Sequence, residues 1–336
     1  MLKLSKDFIG KKNYLKDLST EDFEKHLPEL AKILSYADYR YNYDDSELKA
    51  DWRKLCDFSD SNLLLTSSST RTGMKLCEHF FPNFFDIQNN KNQKFADFWN
   101  KDDLQKVLQW NRNSHSTPYL SELRRGIYFC FGLTKNTMFR PHLSKCVSLY
   151  YKQFESLNVV DPCCGWGGRL LGTVAAGNNY IGFEPNVETF GYLKQLVDFL
   201  GIHKYVTLYN DVAENVDKYD FPLADVVLTS PPYFDLEIYS NEDTQSHQSF
   251  TCYEEWVDGW LKVVILKFGE RLHDDGVSCW NVHNIGKMKM IEDVEKIHLD
   301  ADYIHDVDFS LGSSARQSNK NTKKNQDLTR CFKKTS

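Results

Sequence analysis

The chain is predicted to fold as an α/β protein: a mostly parallel sheet flanked by helices, ending in an antiparallel strand pair and preceded by a mainly helical region. Three observations predict it. From about Lys135 onward, short apolar runs alternate with helical stretches, the pattern of a parallel sheet covered on both faces. Two late apolar runs have no helical pattern between them and read as antiparallel neighbours. Before Lys135 the apolar residues recur at helical spacing.

The elements follow in order. Ser19 stands three residues before Asp22 at capping-box spacing, and Phe23, Leu27, Leu30, Ala31 and Leu34 then share one helical face. A second helix is predicted from Asp102 to Trp110. Thr66-Ser67-Ser68-Ser69-Thr70 reads as a low-complexity loop. Arg124-Arg125 beside Tyr128, Phe129 and Phe131 has two readings, a cationic aromatic surface or core aromatics flanked by solvated arginines. Five strands are expected at Asn158–Asp161, Tyr180–Phe183, Tyr205–Tyr209, Ala224–Thr229 and Val277–Val282. The pair Tyr303–Phe309 and Leu328–Phe332 makes seven. Helices are expected at Gly168–Ala176, Val187–Leu200 and Tyr253–Leu272. The domain organisation expected is 1–134 and 135–336, with a basic loop and tail at 313–336.

At 336 residues, 41% hydrophobic and 26% charged, the chain has the composition of a globular protein with a substantial core. It shows no signal peptide and no apolar span long enough to cross a bilayer, so a cytoplasmic location is expected, in a host cell if the source is viral. The nine cysteines have no paired metal-ligand spacing, and Cys77 with His79 lacks a second pair, so no metal is expected. The net charge of −6 is uneven. Arg316, Lys320, Lys323, Lys324, Arg330, Lys333 and Lys334 face only Asp327 in the tail, which can track phosphates or simply form a solvated loop.

The chemistry concentrates at strand ends. The first predicted strand runs into Asp161-Pro162-Cys163-Cys164-Gly165-Trp166-Gly167-Gly168, where glycines permit a tight turn and close backbone approach to a ligand. A helix starts at once and offers free N–H groups to the turn. The second strand ends at Glu184, placed to accept from both hydroxyls of a ribose. The third ends at Asp211, placed to accept from an adenine amino group. The fourth stops at Ser230-Pro231-Pro232-Tyr233, where two prolines end any sheet ladder and leave a rigid polar and aromatic corner.

These residues resemble the class I S-adenosylmethionine-dependent methyltransferases that act on exocyclic amino groups of nucleic-acid bases, over about Lys135 to Lys334. The family usually has phenylalanine where this chain has Cys163. Phe139-Arg140-Pro141 resembles its additional cofactor-binding motif, and Ser230-Pro231-Pro232-Tyr233 matches the catalytic motif of its cytosine-N4 and some of its adenine-N6 members. The resemblance implies a Rossmann-like, seven-stranded methyltransferase sheet and S-adenosylmethionine as cofactor. It implies cofactor contacts at Phe139, Arg140, Pro141, Asp161, Pro162, Cys163, Gly165, Gly167, Glu184 and Asp211. DNA is the expected substrate, cytosine N4 slightly ahead of adenine N6.

An amino group on a base is a poor nucleophile because its lone pair is delocalised into the ring. Ser230 Oγ and the Pro231 carbonyl can accept its two hydrogens and free that lone pair, with Pro232 fixing the corner. Tyr233 and Phe234 can wall the flipped base. Cys163 and Cys164 sit in the cofactor turn, not at the catalytic strand tip, and read as packing residues rather than nucleophiles. The loop Asp235–Phe250 reads as a lid or a plain connection, and His247 and His283 as packing or surface residues. RNA as the polymer, a catalytically silent nucleic-acid-binding module and methylation of a protein amide remain open, as does the setting (restriction, regulation or viral genome marking). Residues 1–134 or the tail are left for target recognition.

Overall fold

The computed structural model describes residues 8–58, 66–67, 70–89, 91–114, 117–133, 137–152, 155–240, 242–311 and 328–335. They form two compact units, residues 1–42, 82–137 and 235–239 in one and 43–81, 138–234 and 240–336 in the other. A single cut at 134 does not describe this division. Residues 43–81 leave the helical N-terminal stretch and pack with the sheet.

The first unit is helical. Helices α1 (Tyr14–Asp17) and α2 (Thr20–Ser35) open it. The Ser19 hydroxyl caps α2 by accepting the Asp22 N–H at 3.0 Å, and all five residues of the predicted apolar face are buried. Each such Leu contributes roughly 1.5–3 kcal/mol by leaving water. Residues 43–81 bring α3 (Asp45–Asp57), a two-residue strand β1 (Thr66–Ser67) and α4 (Met74–Phe80) to the other unit. Helices α5 (Asp103–Ser114) and α6 (Leu120–Phe131) complete the helical unit, α5 starting one residue later and running four further than predicted. Arg124 and Arg125 divide the two readings between them. Arg124 stacks on Tyr41 at 4.0 Å and donates to the Tyr39 carbonyl, a packing role. Arg125 lies 5.4 Å over Phe129, which is 63% exposed and stacks on Trp110.

The second unit carries the sheet. Helix α7 (Pro141–Tyr151) precedes β2 (Asn158–Asp161), α8 (Gly168–Ala175), β3 (Asn179–Phe183), α9 (Val187–Leu200), β4 (Val206–Tyr209) and β5 (Ala224–Thr229). Then come α10 (Tyr253–Trp256), a π-helical turn (Val257–Leu261), α11 (Lys262–Gly269), β6 (Leu272–Val282), α12 (Met290–Asp300), β7 (Tyr303–Leu311) and β8 (Leu328–Lys334). The strands lie in the order β1-β7-β8-β6-β5-β2-β3-β4. Pairing is parallel throughout except that β8 runs antiparallel between β6 and β7. This is the predicted Rossmann-like sheet with its antiparallel pair.

Four details depart from the sequence reading. The sheet has an eighth strand, because Thr66 and Ser67 pair in parallel with Ser310 and Leu311 inside the predicted loop. The long helix ends at Gly269, and Leu272 instead opens β6 through pairing with Ala224. Tyr205 closes a short 3-10 turn rather than starting β4. The basic residues Arg330 and Lys333, on the last strand, are ion-paired rather than loose: Arg330 with Glu295 and Asp308, and Lys333 with Asp306. Arg316, Lys320, Lys323 and Lys324 lie outside the described residues.

Among the described residues no helix is long and apolar enough to cross a membrane. Nor do any three His, Cys, Asp or Glu residues there form a group able to hold a metal ion.

Candidate active site

Parallel pairing places the carboxyl ends of β2, β3, β4 and β5 along one edge of the sheet, with β5 next to β2 through Val159↔Val226 and Val160↔Val227. The turn after β2 is built on Gly165 (φ 55°) and Gly167 (φ 71°), both in the left-handed region that side chains avoid. Gly167 caps α8 and leaves little room for a side chain, since a Cβ would lie 3.0 Å from Leu196 and 3.2 Å from Phe81. Gly165 is different. A Cβ there would meet only the Cys163 carbonyl, at 3.9 Å, so the space before this residue is open.

Asp161 organises the turn from below. It is fully buried, and Oδ1 accepts the Cys163 N–H at 3.0 Å and the Thr229 hydroxyl at 2.8 Å. Oδ2 accepts from Arg169 Nε and the Tyr180 hydroxyl, both at 2.7 Å. A carboxylate has about four lone-pair positions, and these four donors take them. Arg169 reaches on to the carbonyls of Cys163 and Cys164 and sits 5.2 Å over the Phe139 ring. Burial opposes its charge, but Asp161 and Tyr180 more than compensate, so its pKa is raised further. Arg169, Tyr180 and Thr229 went unseen in the sequence, where no spacing marks them.

Phe139-Arg140-Pro141 is held against this turn by backbone contact. Arg140 caps α7 and Pro141 takes its first position, where the missing N–H costs nothing. A Cβ on Gly168 would stand 2.0 Å from the Phe139 carbonyl oxygen, and one on Gly172 would stand 2.1 Å from that of Pro141. Arg140 itself donates to the Thr70 carbonyl at 3.2 Å.

Glu184 and Asp211 keep acceptor capacity. Glu184 Oε2 accepts the Gly165 N–H at 2.9 Å and Oε1 the Asn186 N–H at 3.0 Å, leaving two lone-pair positions by the same count. Burial pushes its carboxyl up to about 7 against the pull of those two backbone donors. Asp211 accepts from the Val212 N–H, Asn215 Nδ2 and the Tyr219 hydroxyl at 2.7–2.8 Å, leaving one position. Burial raises its pKa, but these hydrogen bonds prevail and the net shift is downward.

Ser230, Pro231, Pro232 and Tyr233 follow β5 directly, with Ser230 half-buried and Tyr233 8% exposed. The Tyr233 hydroxyl stands 2.7 Å from His283 Nδ1 and accepts the His283 backbone N–H at 3.1 Å. His283, read from sequence as packing or surface, is thus joined at the end of β6 to the Ser230-Pro231-Pro232-Tyr233 corner. Phe234 holds φ at 49°, uncommon for a bulky side chain and a mark of a constrained corner. Its ring lies 6.2 Å from Trp256 and 6.5 Å from Tyr253.

Part of the following loop is anchored. Glu242 accepts from Asn186 Nδ2 and the Val187 N–H at the start of α9, and Ser246 Oγ accepts the Trp256 indole N–H at 3.1 Å. Burial pushes the Cys163 and Cys164 thiols well up, which disfavours the thiolate a nucleophile needs. A Cβ on Gly182 would lie 2.3 Å from Cys164 Sγ, so Cys164 is a packing residue.

Solved structures resemble part of this chain. An rRNA methylase from Streptococcus thermophilus matches 60% of this chain and 100% of its own, at 18% identity and a TM-score of 0.39. A SAM-dependent O-methyltransferase from Thermotoga maritima matches 61% of this chain and 69% of its own, at 11% identity and a TM-score of 0.42. Precorrin-6y C5,15-methyltransferase from Geobacter metallireducens matches 57% of this chain and 88% of its own, at 14% identity and a TM-score of 0.37. At these values the likeness concerns the backbone alone. No family model and no curated protein matches the chain.

Proposed function

We propose that this chain is an S-adenosylmethionine-dependent methyltransferase acting on an exocyclic amino group of a DNA base, cytosine N4 ahead of adenine N6. One observation carries the reading. The Thr229 hydroxyl bonds to Asp161 at 2.8 Å, so the residue before Ser230-Pro231-Pro232-Tyr233 and the glycine turn after β2 share one carboxylate. A site for a nucleotide-like donor and a corner for an amino acceptor are therefore held side by side.

The residues fit the cofactor. Gly165 faces open space, Glu184 retains two acceptor positions for the two ribose hydroxyls, and Asp211 retains one for a base amino hydrogen. Gly167, Pro162 and Cys163 shape the turn, and Phe139-Arg140-Pro141 backs it. Asp161 organises these groups without an acceptor position to offer a ligand. When bound, the cofactor supplies an electrophilic methyl group. Ser230 Oγ and the Pro231 carbonyl accept the hydrogens of the target amine and free its lone pair, while Tyr233 and Phe234 orient the extruded base. We assign target recognition to the helical unit, whose exposed Arg125 and Phe129, backed by half-buried Trp110, form a cationic and aromatic face.

The pH dependence of cofactor binding tests the Glu184 assignment. Ribose hydroxyls donate to the ionised carboxylate, so a protonated Glu184 must first lose its proton. With its pKa at about 7, affinity is expected to fall as pH drops through that value, by at most about tenfold per pH unit. Glu184→Gln is expected to bind weakly and without that slope. Calorimetric titration of both proteins with the cofactor checks this, and a pH-independent wild-type affinity would remove the ribose role.

The activity itself is tested by tritiated methyl transfer to unmethylated DNA and to RNA, followed by digestion to nucleosides. Labelled N4-methylcytosine from DNA is expected. Label in RNA alone would reassign the polymer. No transfer to either, with cofactor binding retained, would reduce the protein to a silent nucleic-acid-binding module.

A further inference from the structure

The chain at the end of β6 is held on both sides of His283. Val282 pairs with Leu328 on β8. On the other side, Asn284 Oδ1 accepts the Ile291 N–H at 3.0 Å and its amide donates to Glu292 at 2.7 Å, tying the turn to the start of α12. A residue fixed in this way presents a predetermined geometry to whatever it touches.

His283 meets the Tyr233 hydroxyl oxygen twice. Its backbone N–H donates to the Tyr233 hydroxyl at 3.1 Å, and its Nδ1 stands 2.7 Å from the same atom. A phenol oxygen can accept one hydrogen bond while donating its own proton in another. Both contacts are then satisfied when the phenol proton points at Nδ1 and the imidazole carries its proton on Nε2. The rings pack at 4.6 Å with a 47° tilt, so the imidazole also limits rotation of the tyrosine ring. Tyr233 follows two prolines and precedes Phe234 in the left-handed region, which makes its backbone stiff. The side chain needs a separate anchor.

We propose that His283 is that anchor: a positioning residue that holds the Tyr233 ring in place by accepting its phenol proton on Nδ1 while donating its backbone N–H to the same oxygen. The inference deepens the reading of Ser230-Pro231-Pro232-Tyr233 as the catalytic corner and rests on it for the step His283 serves. It gives the end of β6 a part in the site that no motif signals.

Two measurements test it together. Nitrogen-15 NMR of the wild-type protein is expected to show His283 in the Nε2–H tautomer, and Tyr233→Phe is expected to lose that preference. In methyl transfer, His283→Ala is expected to lower kcat roughly tenfold with the cofactor KM unchanged, the effect of losing one partly buried hydrogen bond. His283→Asn, whose Oδ1 can replace Nδ1 as acceptor, is expected to recover most of that loss. Added to Tyr233→Phe, His283→Ala is expected to cost much less than it does in the wild type, because the hydrogen bond it removes is already gone and only the ring contact remains. A proton on Nδ1 in the wild type, or losses that multiply in the double variant, would overturn the proposal. Should the wild type transfer no methyl group to any nucleic acid, the functional reading fails, and the tautomer with its response to Tyr233→Phe still decides whether His283 anchors the ring.

Discussion

Asp161→Ala is expected to remove about 3–5 kcal/mol of folding stability, the range for breaking a buried ion pair by deleting one partner. The loss comes less from the missing attraction than from what is left behind. Arg169 is 4% exposed and would stay charged among apolar neighbours, with only the carbonyls of Cys163 and Cys164 as acceptors. The hydroxyls of Tyr180 and Thr229, both fully buried, would lose their acceptor as well. Asp161→Asn keeps an oxygen for some of these donors but no charge, so it is expected to fall between wild type and alanine. Urea denaturation of the three proteins measures the order. A loss below about 1 kcal/mol for alanine would show that the turn relaxes and that Asp161 is not its organiser.

The second large effect concerns chemistry rather than stability. Ser230→Ala is expected to reduce methyl transfer by roughly 10²–10³, the cost of losing one acceptor aimed at charge that develops in the transition state. Cofactor affinity is expected to stay within about twofold, because Ser230 follows β5, whereas the groups assigned to the cofactor lie in the turn after β2 and just past the ends of β3 and β4. Isothermal titration beside single-turnover kinetics separates the two quantities. An equal drop in affinity would mean that Ser230 contacts the cofactor and not the target amine. Tyr233 calls for a gentler change. At 8% exposure, Tyr233→Ala would open a cavity and confound loss of the ring with loss of packing, whereas Tyr233→Phe removes the hydroxyl alone.

Local signals were readable where one residue type has one physical use. Ser19 could only cap, the Phe23 to Leu34 face could only turn inward, and the paired prolines could only end β5. The acids at Glu184 and Asp211 were visible because strand tips in a parallel sheet share an edge. What stayed hidden depends on neighbours distant in sequence. Thr229 reaches Asp161 across 68 positions, and His283 reaches Tyr233 across 50. Neither has a spacing that a pattern can report. Residues 43–81 were hidden for a related reason. Their helices look like those before and after them, and only packing shows that Gly73 stands against Pro141 and Phe81 against Gly167. Asp161 illustrates a subtler limit. Its place in the motif was plain, yet the four donors around it change its role from ligand contact to organiser.

The position of β8 has a consequence for how the protein is made. This strand is synthesised after β6 and β7, yet it fills the gap between them and pairs with both. Until residues 328–334 emerge, one side of β6, from Val277 to Val282, has no hydrogen-bonding partner in the sheet. An open strand edge of this kind attracts other chains. The nascent protein therefore carries the Ser230-Pro231-Pro232-Tyr233 corner through a period in which this strand edge stands open, and closure of the sheet by β8 ends that period.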